Sequence, residues 1–172
     1  MKTNRIGLWL LAALLATGCA ETRSVDQDQD WVLTIGSPQS HWARSDAIVV
    51  RTELRYVGPG TGTEWFGSSS GPLAFDLREI NGTRHLEGGM LSDCRRHEMR
   101  ADGPLVVGHV KPGGYSADDP NAAFYREFLA DPLLHLPPAE WALAARAVFS
   151  MPPDCGTGRT VSLRASVILT VA

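Results

Sequence analysis

Leu136-Pro137-Pro138-Ala139-Glu140-Trp141-Ala142-Leu143-Ala144-Ala145-Arg146-Ala147-Val148-Phe149 is the stretch on which the fold turns. Its alanines favour a helix. Its alternation favours a strand, because Trp141, Leu143, Ala145, Ala147 and Phe149 recur at every second position and would share one face. Taken alone, the stretch leaves both readings open.

Its surroundings point to strands. Thr160 to Val171 alternates over its whole length, with Val161, Leu163, Ala165, Val167, Leu169 and Val171 on one side. Ala47 to Val57 does the same, with Ile48, Val50, Thr52, Leu54 and Tyr56 inward and Arg51, Glu53 and Arg55 outward. Trp31 to Ile35 reads as a short strand stopped by Gly36-Ser37-Pro38. Leu73 to Ile80 places Leu73, Phe75 and Leu77 inward and Asp76 and Arg78 outward. Asn81-Gly82 then predicts a type I′ turn, with Thr83 to Leu86 as the return strand. Leu105 to Val110 is apolar and β-branched, a further strand, whereas Met90 to Met99 shows no clean period. One helix is expected, with Asp119 as its cap, Pro120 at its first position, Phe124, Phe128 and Leu129 on its apolar face, and Asp131-Pro132 as its stop.

Leu136-Pro137-Pro138-Ala139-Glu140-Trp141, followed by Ala142 to Val148, resembles the corner and penultimate strand of fibronectin type III domains. In that family a Leu-x-Pro segment leads into a buried aromatic residue, usually Tyr and here Trp141. The resemblance covers about a dozen residues and implies that 139–149 is a strand. With seven or eight strands, one short helix and no βαβ alternation, the expected fold is all-β: an antiparallel, immunoglobulin-like β-sandwich with one short helix.

The N-terminus has a different character. Lys2 and Arg5 precede an apolar run from Ile6 to Ala16, and Ala16-Thr17-Gly18-Cys19 closes it. That is the layout of an export signal. The run is too short for a bilayer, which takes roughly 18 to 20 apolar residues. Ala16-Thr17-Gly18-Cys19 resembles the lipobox of bacterial lipoproteins, with Ala16 where the family more often has Leu. The resemblance implies cleavage before Cys19, a covalent diacylglycerol and acyl lipid such as palmitate on Cys19, and a membrane anchor as first partner. The expected organisation is then 1–18 signal peptide, 19–30 lipidated N-terminus and flexible tether, and 31–172 a single sandwich domain. Ala20 follows the cysteine, and in a host with two membranes this implies the outer one; with one membrane, its outer face.

With Cys19 assigned to lipid, Cys94 and Cys155 remain as an even pair. Outside the cytoplasm two thiols in one small domain usually pair. Free thiols or a metal site are the other readings. The whole chain carries 16 basic and 19 acidic residues; removing Lys2 and Arg5 leaves 14 against 19, a net charge of −5. No basic patch stands out, and nucleic acid is not expected as a partner.

Motifs for chemistry are few. His-Glu-x-x-His, a phosphate-binding loop and a strand-linked Gly-x-Gly-x-x-Gly are missing, and Gly67-Ser68-Ser69-Ser70-Gly71 has the Gly-x-Ser-x-Gly spacing without reading as a nucleophile elbow. Ser68-Ser69-Ser70 reads as a loop without a base beside it. His97-Glu98-Met99, with Met90 nearby, contains a His-x-Met pair of the kind that suits Cu(I), so Met90, His97, Glu98 and Met99 form an alternative metal set. Asp93, His97 and Glu98 could equally serve acid–base chemistry. Trp65 and Phe66, between Gly- and Ser-rich segments, and Tyr115, beside Gly113-Gly114, are candidate aromatic contacts for a partner if their loops expose them. The functional expectation is a non-enzymatic, lipid-anchored interaction module whose partner could be another envelope protein, with no cofactor beyond the lipid. Periplasmic metal binding is the alternative.

Overall fold

The computed structural model describes residues 21–172, so the expected signal segment and Cys19 lie outside the described residues. In chain order the elements are β1 (Thr22–Gln27), β2 (Trp31–Ser37), β3 (His41–Trp42), β4 (Arg51–Tyr56), β5 (Gly62–Gly67), β6 (Leu73–Glu79), β7 (His85–Glu87), β8 (Arg95–Arg100), β9 (Leu105–Gly108), α1 (Ala122–Ala130), β10 (Ala139–Ser150) and β11 (Thr160–Val171). A four-stranded sheet runs β1-β2-β4-β9. A seven-stranded sheet runs β3-β11-β10-β5-β8, with β6 pairing the lower part of β10 and β7 pairing β6. All pairs are antiparallel except the short contact of β3 with β11. The molecule is an all-β sandwich with one short helix.

The two stretches of cleanest alternation form its centre. β10 and β11 pair along their full length, from Ala139↔Val171 to Ser150↔Thr160. Trp141, Leu143, Ala145, Ala147 and Phe149 are all buried, as are Val161 to Val171 at every second position. They pack on Trp31, Leu33, Ile35 and Leu54 of the other sheet, each fully buried. Trp31 bridges the layers, its ring centroid 4.7 Å from that of Phe149. So 139–150 is a strand: helix propensity is worth a few tenths of a kcal/mol per residue, and burying one large apolar side chain about 1.5–3 kcal/mol. At the corner, the Trp141 indole Nε1–H donates to the Pro137 carbonyl at 3.0 Å. The bond ties the strand's entry back to the Pro137-Pro138 turn.

Cys94 and Cys155 are disulfide-bonded, with Cα atoms 6.0 Å apart. The bond fastens the start of β8 to the β10–β11 connection.

Several expectations are corrected. Residues 22–27 are not tether but strand β1, paired with β2 from Thr22↔Ser37 to Gln27↔Val32. Trp65 and Phe66 lie in strand β5, not in a loop. The polar 95–100 segment is strand β8. The β6–β7 hairpin exists, but its turn is wider than type I′: the Glu79 amide donates to the Arg84 carbonyl, and Asn81 has no positive φ. Gly82 is there for space, since a Cβ on it would sit 2.0 Å from the Glu79 carboxylate that grips Arg84. Helix α1 begins at Ala122, not Pro120, because the Asp119 carboxylate accepts the Asn121 amide at 2.7 Å and holds a turn there. Lys111 Nζ donates to the Phe128 carbonyl and, at 2.6 Å, to that of Asp131, covering the end of α1. Asp76 does face outward from its sheet, but it is buried there under Arg146 (2.9 Å) and Arg164 (3.1 Å).

Candidate functional site

A sandwich has two lateral seams, where the edge strands of its sheets meet, and here the two are built differently. At the first seam β1 covers the flank of β11. Asp26 Oδ2 accepts the Arg164 amide at 2.7 Å, and Ser24 Oγ accepts that of Ser166 at 3.4 Å. Arg159 reaches Asp28 at 2.5 Å and Asp30 at 2.9 Å. Burial pushes the Asp28 carboxyl up, but Arg159 and the amides of Asp30 and Trp31 outweigh it and hold the group below its ordinary range. An edge that would otherwise offer free amides is thereby closed with side chains.

The opposite seam, between β8 and β9, is open. These strands are the terminal members of their sheets, and a cleft of about 680 Å³ separates them. Its walls are mostly apolar, from Trp65, Phe75, Met99, Leu105, Val107 and Val110. That size lies within the usual range for ligand sites. The positions follow from period two: on β8, His97 and Met99 turn inward while Arg96, Glu98 and Arg100 turn out. Register places Trp65 opposite His97, and their rings stack with centroids 4.0 Å apart and planes 10° apart.

Polar atoms of the cleft wall lack partners, as do Trp31 Nε1 and Thr52 Oγ1 in the core. Trp65 is 4% exposed, yet its Nε1–H has no partner, and neither has Nε2 of His97. The indole edge away from Nε1 is the one packed on Gly67 and Phe149. Unpaired buried donors cost about 1–3 kcal/mol each. Behind the cleft, His109 packs edge-on to Phe75 at 5.2 Å with both ring nitrogens unpartnered. Burial, and secondarily the charge of Lys111, lowers its pKa from 6.5 to about 4, so the ring is neutral at physiological pH.

The free edge of β9 continues the contrast. Leu105-Val106-Val107-Gly108-His109-Val110 holds no Lys, Arg, Asp, Glu or Pro, and Val106 and Val110 are exposed. Charged or proline-bearing edges are the usual protection against strand addition. The β8 edge has that protection in Arg95, Arg96 and Arg100, which pair with Asp93, Glu64 and Asp102.

The candidate residues of the sequence are dispersed. Trp65 forms the cleft wall and is buried. Phe66 points to the other side of β5, into a shallow depression with Met90, Asp93 and the disulfide. Tyr115 packs on Tyr125 beside α1, their centroids 5.7 Å apart. They do not form one aromatic surface. Of the alternative metal set, His97 and Met99 share the inward face of β8, Glu98 lies on the outward face, and Met90 is in the other depression. Among the described residues no three His, Cys, Asp or Glu side chains gather around a metal position. Asp93 is likewise apart from His97; Ser69, through its hydroxyl and its amide, keeps the Asp93 carboxyl below its ordinary value, helped by Arg95. The contributions of Phe75, Leu105 and Val107 were not evident beforehand, although the uncharged run 105–110 was a readable signal.

Compared with known proteins, the chain matches no family model, no curated protein and no solved structure.

Proposed function

We propose that this chain is a lipid-anchored protein of the cell envelope that acts by binding, and that the open seam between β8 and β9 is its site. The observation that carries the reading is the cleft itself: mostly apolar and contiguous with the core. The apolar walls favour a ligand with an apolar body. The anchor half of the reading is supported by the lipobox-like Ala16 to Cys19.

Site-specific photo-cross-linking in intact cells tests it. A benzophenone side chain at Val110, in the cleft and 59% exposed, is expected to give a discrete adduct. The same group at Ile168, 55% exposed on the outer face of β11, is the control and is expected to give none. Equal labelling at both positions, or none at Val110, contradicts the proposal.

A further inference from the structure

The anchor and the Trp65–His97 end of the cleft lie at opposite corners of the domain, whereas Val107 and Val110 line the cleft near the level of Gly108. β1 begins at Thr22. On the reading of Cys19 as the lipidated residue, on which this inference rests, three Cα steps separate the anchor from the folded sheet, a reach of about 11 Å at most. With 19–30 as a tether the domain would roam; with β1 in the sheet it cannot.

Registers then locate both ends. Thr22 is level with Ser37 of β2, and the next residue, Arg23, with Gly36, Arg51 and Gly108, the lower row of the smaller sheet. The contacts of Ser24 with Ser166 and of Asp26 with Arg164 carry that level to the Val171 end of β11. The Arg44 amide, bonded to the Ala172 carbonyl, places the 43–46 turn at this same end. The upper row holds Asp28 and Asp30, bound to Arg159 just before β11. Phe149 touches Trp31 there, and Ser150 pairs with Phe66. Trp65 and His97 are therefore level with the far end of β1, and Met99 and Arg100 lie further out still.

The six residues of β1 rise about 20 Å. Across the smaller sheet, β1 and β9 are the two outer strands, three strand spacings or about 14 Å apart. Standing upright, the domain holds the Trp65 end of the cleft above the membrane. Lying on its β1 flank, it turns the cleft to the opposite side. Neither posture brings Trp65 and His97 to the bilayer within the available reach.

We infer that the short link from Cys19 to β1 holds the Thr22 end of the domain against the membrane and presents the Trp65–His97 end of the cleft to the aqueous compartment, so that a ligand engaging that end meets it from the water side. The test uses the lipidated full-length protein, purified in detergent and reconstituted into phosphatidylethanolamine–phosphatidylglycerol vesicles that contain a headgroup nitroxide lipid. Cys94 and Cys155 are bonded to each other and Cys19 carries the lipid, so one added thiol takes a fluorophore alone. Ser45→Cys marks the anchor end and Thr61→Cys the cleft end; both positions are exposed.

Quenching several-fold stronger at Ser45 than at Thr61 is the expected result. A Gly/Ser insert of about a dozen residues between Ala20 and Glu21, long enough to free the domain, should abolish the difference. Equal quenching in the protein without the insert, stronger quenching at Thr61, or a difference that survives the insert would each overturn the inference. Failure of the anchor reading is seen separately: the peptide containing Cys19 would lack acyl mass and the protein would not float with vesicles, which removes the inference together with its premise.

Discussion

The two seams of the sandwich solve one problem in opposite ways. At the β1–β11 seam the edge amides of Arg164 and Ser166 are taken up by Asp26 and Ser24, and two carboxylates grip Arg159. At the β8–β9 seam apolar side chains line an open gap between the two edge strands. A fold that closes one seam with so many short-range bonds has the means to close the other. On the proposed function, the open seam is stability withheld where a ligand supplies the missing contacts.

The largest expected effect concerns how the open seam is held at all. With no second sheet edge beside it, β8 depends on β5 and on the disulfide at its start. Cys94 and Cys155 are 61 residues apart. Closing such a loop contributes roughly 4 kcal/mol in the chain-entropy treatment. Cys94→Ser should lower stability by up to that amount in chemical denaturation; an unchanged midpoint would show that the bond does not support this seam.

Next comes a matched pair. Val167 is 2% exposed between the sheets, whereas Val107 is only partly buried in the cleft wall. Val167→Ala is expected to cost about 2 kcal/mol, within the usual range for shortening a core side chain. Val107→Ala should cost less than about 1 kcal/mol, because solvent already reaches its surroundings. Equal losses would mean that the cleft is as tightly packed as the core.

A further difference separates the seams by pH. Folded His109 protonates only near 4, while the unfolded residue does so near 6.5. Between those values the unfolded chain binds more protons, so stability falls as pH drops. His109→Phe should flatten the profile over that window. The Asp28 carboxyl is held below its ordinary value, so its contribution persists to lower pH and is lost only as pH falls through its folded value. The open seam is thus expected to weaken before the closed one on acidification; the reverse order, read by amide exchange, would contradict the assignment.

What the sequence disclosed divides along the same line. Thr160 to Val171 and Trp141 to Phe149 were readable because apolar alternation is local, and every inward residue named from it is buried. β1 was not. Its inward side chains are Thr22, Ser24 and Asp26, with Asp28 and Asp30 following, so their period of two carries no apolar signal. Their value depends on Arg159 and Arg164, more than 120 residues away. Trp65 and Phe66 were hidden by their Gly and Ser neighbours, although a strand there is what buries Trp65. The cleft was illegible for a further reason. It arises between β8 and β9, neighbours in sequence that enter different sheets, and nothing local in 101–104 reveals that parting.

Native-state amide exchange at the two seams, in the same sample, is the most direct test of this asymmetry. Arg164 and Ser166 lie on the outer flank of β11, and the bonds from Asp26 and Ser24 predict slow exchange at both amides. The amides of β8 and β9 that face the cleft, away from β5 and β4, should exchange fast in the free protein. Fast exchange at Arg164 and Ser166, or protection along both strands of the cleft without a ligand, would contradict the account.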